Sequence, residues 1–128
     1  MATATPKKEE HRRPAEPDVF ENVRYLRRQT KLTESDLADA TGASTRTVRR
    51  WLKANLRDVR EPRFTDQIDD LRMIVEELEG SLTAKGIRQW LRARSRYLDG
   101  ARPIDVLRQG GFDKVREAAL AFREGDYI

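Results

Sequence analysis

The chain has 128 residues, of which 38% are hydrophobic and 38% are charged, and its formal net charge is +4. The absence of cysteine excludes disulfide scaffolds, cysteine nucleophiles and thiolate metal sites, and the one histidine, His11, lies in a polar segment that cannot hold a catalytic or metal site rigid. We therefore expect no enzyme, cofactor or metal, and, without a run of about 18 to 20 apolar residues or a signal-peptide core, a cytoplasmic protein with no membrane partner.

Residues 1–17 are predicted to be a disordered tail, because this small, charged and proline-containing segment has too little apolar surface to bury. A first helix is predicted to begin at Asp18, since Asp18 and Glu21 have the spacing of a capping box. Apolar residues then recur at helical spacing, and this helix is expected to end near Thr30.

The next segment has the pattern of two short helices joined by a tight turn. Thr33 is a suitable N-cap with Asp36 at the N3 position, which predicts a helix start. Gly42 follows this short helix at the point where a left-handed turn is needed. Ser44 or Thr45 then caps the second helix.

A helix-turn-helix also needs a small residue where the helices cross and an apolar base beneath the second helix. The sequence meets these requirements with Ala38 at the crossing and with Leu37, Val48 and Trp51 at the base. We therefore predict a helix-turn-helix at residues 33–53, within a DNA-binding domain spanning residues 18–54.

After a predicted linker at residues 55–64, a small C-terminal helical domain is expected over residues 65–128. Apolar residues at helical spacing, bounded by caps, prolines and glycines, predict its helices. They comprise a helix between Thr65 and Gly80, one capped by Thr83 and extending as far as Leu98, one beginning at Pro103, and one capped by Asp113 and ending at Gly125. Because no stretch alternates with the period of a strand, the predicted fold class is all-α.

The second helix of the motif has a basic face. At about 100 degrees per residue its apolar side chains point to the core, and the opposite side carries Arg46, Arg49, Arg50 and Lys53. Because an arginine fork binds guanine or phosphate, we expect Arg46 and Arg49 to read bases and Arg50 and Lys53 to contact the backbone. The hydroxyl groups at the helix start are further candidates for DNA contact, namely Ser44, Thr45 and Thr47. The alternative, a solvated helix face, is weak for four cations together.

A second group of cations lies in the C-terminal domain, namely Arg92, Arg94, Arg96 and Arg102. These side chains could form a second DNA contact, a partner contact or a solvated helix edge. A second DNA contact would describe a stand-alone or phage-type immunity repressor that uses both domains on DNA and has no toxin partner. A domain of about sixty residues is only marginally stable alone, so a homodimer that reads two half-sites is also expected.

Residues 81–128 resemble the C-terminal domain of antitoxins of the Xre/MbcA/ParS family. The matching features are the segments GIRQWL and GARPIDVL, a glycine before the last helix and the closing EGDYI. Within them Trp90, Gly100, Pro103 and Leu107 sit at matching spacings. Together with the preceding helix-turn-helix, the resemblance extends over residues 18–128.

The resemblance implies a transcriptional repressor that binds operator DNA, autoregulates its operon and neutralises a toxin of the RES-domain type, which degrades NAD. It also implies that the C-terminal end lies over the active cleft of the toxin. Carried over by position, the residues near this partner are Arg102, Asp126, Tyr127 and Ile128.

Overall fold

The computed structural model describes residues 19–53 and 62–125, and these ranges contain helices and no β-strand. The helices are α1 (Val19–Thr30), α2 (Glu34–Thr41), α3 (Thr45–Leu52), α4 (Pro62–Leu78), α5 (Ala84–Arg92), α6 (Pro103–Arg108) and α7 (Phe112–Arg123), with a 3-10 turn at Arg96–Leu98. The predicted all-α fold class is confirmed. The predicted tail at residues 1–17, the helix start at Asp18 and residues 55–61 of the predicted linker lie outside the described residues.

The start of α2 is the predicted capping box. The hydroxyl of Thr33 accepts a hydrogen bond from the Asp36 N–H at 3.0 Å, and the Asp36 carboxylate accepts one from the Thr33 N–H at 3.0 Å. At the other end Gly42 has a φ of 86°, a left-handed conformation that costs glycine little because it has no Cβ. These two ends limit α2 to eight residues and set the tight turn before α3.

Two helix bounds in the second half differ from the sequence prediction. Helix α4 begins at Pro62 instead of Thr65, because a proline in the first helical turn has a suitable φ and gives up an N–H that would have no helical acceptor. Helix α5 ends at Arg92 instead of Leu98, since Ala93 is extended at φ −85° and ψ 145°. Leu98 lies in the separate 3-10 turn and is buried there.

The start of α7 also differs from the prediction. The N-cap is Gly111, and the predicted cap, Asp113, lies inside the first turn. A Cβ added at Gly111 would lie 2.5 Å from Cγ1 of Val106, so this position has no room for a capping side chain. The buried ring of Phe112 then occupies the first position of the helix.

Buried side chains from all seven helices form one hydrophobic cluster. Helix α4 lies at its centre, since α1, α2, α6 and α7 all pack against it. Helix α2 also packs against α6, so the predicted helix-turn-helix rests on the second half of the chain. None of the described helices combines the length and apolar character that crossing a membrane requires.

A buried polar network joins α1 to α4. The amide of Asn22, which is 1% exposed, donates to Oδ1 of Asp69 at 3.1 Å and accepts from Nη1 of Arg72 at 3.1 Å. The guanidinium of Arg72 also lies 3.9 Å from the ring centroid of Tyr25, whose hydroxyl donates to Glu79 at 2.8 Å. Burial and the hydrogen bond to Glu79 raise the pKa of Tyr25 above its ordinary value. These contacts hold the helix that precedes the motif in a fixed position on α4.

Candidate nucleic-acid interface

Helix α3 has a buried face and a basic face. Val48 and Trp51 are fully buried, and the Trp51 ring meets the ring of Phe64 edge to face with a centroid distance of 5.9 Å. Leu52 also packs partly against the core, so the opposite side of α3 and its N-terminal end are left to polar and basic side chains. The exposed ones among the predicted DNA contacts are Ser44, Thr45, Arg46, Arg49, Arg50 and Lys53.

The basic face surrounds an open depression of about 440 Å³. Its lining consists of four cations and one hydroxyl group, namely Arg46, Arg49, Arg50, Lys53 and Thr47. Five of the seven residues predicted to contact DNA from the sequence therefore lie together on one surface. Such a concentration of positive charge on one helix is typical of surfaces that bind phosphate.

The start of α3 is held by Ser44. Its Oγ accepts a hydrogen bond from the Thr47 N–H at 3.0 Å, and its hydroxyl donates one to Oγ1 of Thr47 at 3.1 Å. Ser44, rather than Thr45, is thus the N-cap, and Thr45 is the first residue of the helix. Both hydroxyl groups lie at the N-terminal end of α3, where the helix dipole favours an anionic ligand.

One acidic residue that the sequence analysis did not single out also belongs to this surface. Oε1 of Glu34, at the first position of α2, lies 3.1 Å from both Nε and Nη2 of Arg49. The side chains are 57% exposed for Arg49 and 34% exposed for Glu34. Fifteen residues separate the two along the chain, so no helical spacing links them and the crossing of α2 and α3 brings them together.

The turn of the motif is supported from α6. A Cβ added to Gly42 would lie 3.5 Å from Cγ of Arg108, so the aliphatic part of this arginine covers the turn. Nη2 of Arg108 lies 3.6 Å from Oδ1 of Asp105 on the same helix. The turn between α2 and α3 is thus in contact with a helix from the second half of the chain.

The second group of cations, here called the second cluster, consists of Arg92, Arg94, Arg96 and Arg102. The side chain of Arg92 is directed toward α2. Its Nε and Nη2 lie 2.9 Å and 2.6 Å from Oδ1 of Asp36, and Nη2 lies 2.8 Å from Oδ2 of Asp39. The hydrogen bond to Asp39 and the one to Asp36 raise the pKa of Arg92. Partial burial acts to raise the pKa of Asp36, but hydrogen bonds from Thr33 and Arg92 outweigh it and lower this pKa below its ordinary value.

Two other members of the second cluster, Arg94 and Arg102, contact acceptors in the second half of the chain. Nη1 of Arg94 donates to the carbonyl of Gly100 at 3.0 Å, and Nε of Arg102 donates to Asp105 at 2.9 Å. Arg96 is exposed in the 3-10 turn. The predicted partner contacts Asp126, Tyr127 and Ile128 lie outside the described residues. Within residues 19–53 and 62–125, no group of three or more His, Cys, Asp or Glu side chains is arranged to hold a metal ion.

Comparison with known proteins identifies the family. No family model matches the chain. A probable mycobacterial cidal antitoxin of Mycobacterium tuberculosis (strain ATCC 25618 / H37Rv) is 39% identical over 97 residues, which are 76% of this chain and 81% of that protein. The chain belongs to the mycobacterial cidal antitoxin family. This membership confirms the resemblance to Xre/MbcA/ParS antitoxins.

The fold of this member of the mycobacterial cidal antitoxin family also matches a solved structure. A chain in the crystal structure of the M. tuberculosis MbcT-MbcA toxin-antitoxin complex superposes with a TM-score of 0.70 and 23% sequence identity. The match covers 86% of the present chain and 97% of that chain. At this identity the likeness shows that the two chains share a fold.

Proposed function

We propose that this protein is a sequence-specific DNA-binding repressor and an Xre-type antitoxin that binds and neutralises a RES-type toxin and autoregulates its operon. The observation that carries the DNA-binding part is the open basic surface of α3, on which Arg46, Arg49, Arg50 and Lys53 surround one depression. The proposed activity is regulatory binding without catalysis.

The arrangement of α2 and α3 suits the major groove of DNA. A groove about 12 Å wide admits one α-helix, and in a helix-turn-helix the second helix enters it while the first crosses the backbone. In this orientation Arg46 and Arg49, toward the start and middle of α3, face base edges. Arg50 and Lys53, nearer its end, face phosphates, and Ser44, Thr45 and Thr47 lie near the sugar-phosphate backbone at the entry of the helix.

The toxin-binding part is supported by family membership. The relative from M. tuberculosis is named as an antitoxin, and the matching fold was solved in a toxin-antitoxin complex. In the present chain the second half offers exposed side chains for such a partner around the 3-10 turn, where Tyr97 is 49% exposed beside Arg96. We place the toxin contact on this turn, on Arg94 and Arg102, and on Asp126, Tyr127 and Ile128.

The DNA-binding part is tested by titrating the full chain onto a fragment of its own promoter across a salt series. The triple variant Arg46→Ala/Arg49→Ala/Arg50→Ala should lose preferential binding, and its affinity should depend less on salt by about one unit of log-log slope per phosphate contact removed. Equal binding of the wild type and this variant would contradict the proposal.

The matched control removes the same charge from the second cluster, as Arg94→Ala/Arg96→Ala/Arg102→Ala. This variant should bind the promoter fragment as the wild type does, because its arginines are assigned to the toxin. If the control lost DNA affinity as severely as the α3 variant, both basic regions would contact DNA. That result would support the stand-alone, phage-type repressor instead.

The toxin-binding part predicts a RES-type protein encoded beside this chain, and it is tested by co-expression of the two; absence of such a neighbour would contradict this part of the proposal. Co-purification is expected for the wild type and for the α3 triple variant, whereas Asp126→Ala/Tyr127→Ala should weaken it. Sedimentation analysis of the free protein and of its complex with the promoter fragment would test the homodimer expected from the sequence. A monomer in both states would exclude reading of two half-sites by paired copies.

A further inference from the structure

The contact between Glu34 and Arg49 places a negative charge on the surface where DNA is proposed to bind. A carboxylate near phosphates opposes binding at any sequence, because like charges repel. Its position at the start of α2 has one simple explanation, since an acidic residue in the first turn interacts favourably with the helix dipole. That explanation accounts for the charge at this position, and it leaves the contact with an arginine of α3 unexplained.

A contribution to the stability of the fold does not explain the contact between Glu34 and Arg49 either. Both side chains are at least one third exposed. Exposed ion pairs contribute about 0 to 1 kcal/mol, and many contribute nothing measurable. The contact must therefore be judged by its effect on the Arg49 side chain.

The geometry shows what the contact does to Arg49. Glu34 Oε1 is shared by Nε and Nη2, at 3.1 Å from each, so the carboxylate binds the lateral edge of the planar guanidinium. The other edge, formed by Nη1 and the remaining proton of Nη2, stays directed away from this contact. That edge is one that pairs bidentately with O6 and N7 of guanine.

We propose that Glu34 is the positioning residue for base reading by Arg49. It holds the guanidinium plane so that the end of the side chain is presented to a guanine in the major groove. Its charge repels phosphates at any sequence, and only a correctly placed guanine offsets this repulsion. The inference rests on the proposed function of α3 as the DNA-reading helix. It assigns Glu34 to specificity rather than to affinity.

Two substitutions separate the orientation of Arg49 from the charge of Glu34. Glu34→Gln removes the charge but keeps an oxygen that accepts from Arg49, whereas Glu34→Ala removes both. Affinities are measured for the promoter fragment and for a scrambled fragment of the same length and composition, at one salt concentration. Glu117→Gln makes the same change of net charge at an exposed position on α7 and serves as the control.

The two variants should bind scrambled DNA equally and several-fold more tightly than the wild type, because each has lost one repulsive charge. On the promoter fragment Glu34→Ala should bind about tenfold more weakly than Glu34→Gln, since an arginine that is not oriented loses much of the discrimination of a bidentate contact. In an Arg49→Ala background, the Gln and Ala variants should bind the promoter fragment equally. The control variant, Glu117→Gln, should bind both the promoter fragment and the scrambled fragment with the affinity of the wild type.

Three results would overturn the inference while leaving DNA binding by α3 intact. The first is equal promoter affinity for Glu34→Ala and Glu34→Gln, which would reduce Glu34 to a charge. The second is a difference between them that persists without Arg49, which would make Glu34 a direct DNA contact. The third is an affinity gain for Glu117→Gln equal to that for Glu34→Gln. If the wild type itself does not prefer the promoter fragment, the proposed function fails and the inference fails with it.

Discussion

Helices α3 and α5 follow one pattern of residues from the N-cap to the last turn. Each begins with a hydroxyl side chain that accepts the N–H three residues later, and each buries a β-branched residue and a tryptophan. Each also ends on or next to a cation. The matched pairs are Ser44 and Thr83, Arg46 and Lys85, Val48 and Ile87, Arg49 and Arg88, Trp51 and Trp90, and Lys53 and Arg92.

The two helices use their cations in different ways. In α5, Arg92 binds Asp36 and Asp39, and Nη1 of Arg88 donates to the carbonyl of Thr30 at 2.6 Å. These arginines fasten α5 to the first half of the chain. In α3 the corresponding side chains surround an open depression. The difference lies in the neighbours: α1 and α2 present partly buried acceptors to α5, whereas the contact from α2 to the α3 cations described above, Glu34 with Arg49, is exposed.

The largest expected effect concerns the feature that the two helices share. Trp51→Ala should lower the free energy of unfolding by about 3 to 5 kcal/mol, because it removes a fully buried indole and leaves a cavity. Trp90→Ala, at 7% exposure, should fall in the same range. Urea unfolding followed by circular dichroism measures both. A loss below about 1 kcal/mol at either position would show that the helix is not anchored by its tryptophan.

The next effect tests the difference between the helices at one matched position. Arg92→Ala should destabilise the protein by about 1 to 2 kcal/mol, because it removes the charged donor shared by two partly buried carboxylates on α2. Lys53→Ala, the matched change on α3, should stay within about 0.5 kcal/mol. Chemical denaturation of the two variants in parallel gives the comparison. Equal losses would mean that the Arg92 contacts add no more than a solvated cation does.

The Arg92 contacts should also make stability depend on pH. The pKa of Asp36 is lowered in the folded protein, so its ionised form is favoured there over the unfolded chain. The resulting stabilisation is complete above the ordinary value of 3.8 and is lost as the pH falls through the lower folded pKa. Asp36→Asn should therefore be less stable than the wild type by about 1 kcal/mol near neutral pH.

The measurement for Asp36 is thermal unfolding of both proteins from neutral pH into the acid range. Their difference should stay constant down to about pH 5 and then shrink. Asp99→Asn, at an exposed position after the 3-10 turn, is the control and should follow the wild type throughout. A difference that does not change with pH would show that the charge of Asp36 plays no part in stability.

Local signals predicted much of the fold. The capping box of Thr33 and Asp36, the left-handed Gly42 and the Thr83 cap were readable because each depends on residues within about one helical turn. The bounds at Pro62, Arg92 and Gly111 were not predicted; the proline at residue 62 is a local signal that was assigned to the linker instead of to the first turn of α4. At Gly111 packing matters, because a Cβ there would lie 2.5 Å from Cγ1 of Val106.

The cations of the candidate site were also readable, because the basic face of α3 follows from helical periodicity alone. The role of Arg92 was not, because the sequence groups it with Arg94 and Arg96 while the fold turns it toward α2. Glu34 was missed because its contact with Arg49 also joins two different helices. Contacts between residues 15 or 56 positions apart have no local pattern, so only the packed helices reveal them.

The smallest effect on stability is expected at positions of α3 and α5 whose side chains are exposed. Arg46→Ala and Lys85→Ala remove matched surface cations, and each should change the free energy of unfolding by no more than about 0.5 kcal/mol. Their effects on DNA should differ, because Arg46 is proposed to read a base and Lys85 lies on the helix that packs against α1 and α6. Arg46→Ala should weaken promoter binding about tenfold, and Lys85→Ala should leave it unchanged. Fluorescence anisotropy with both fragments distinguishes these outcomes. If the two variants bound alike, the basic face of α3 would be a solvated surface of the same kind as that of α5.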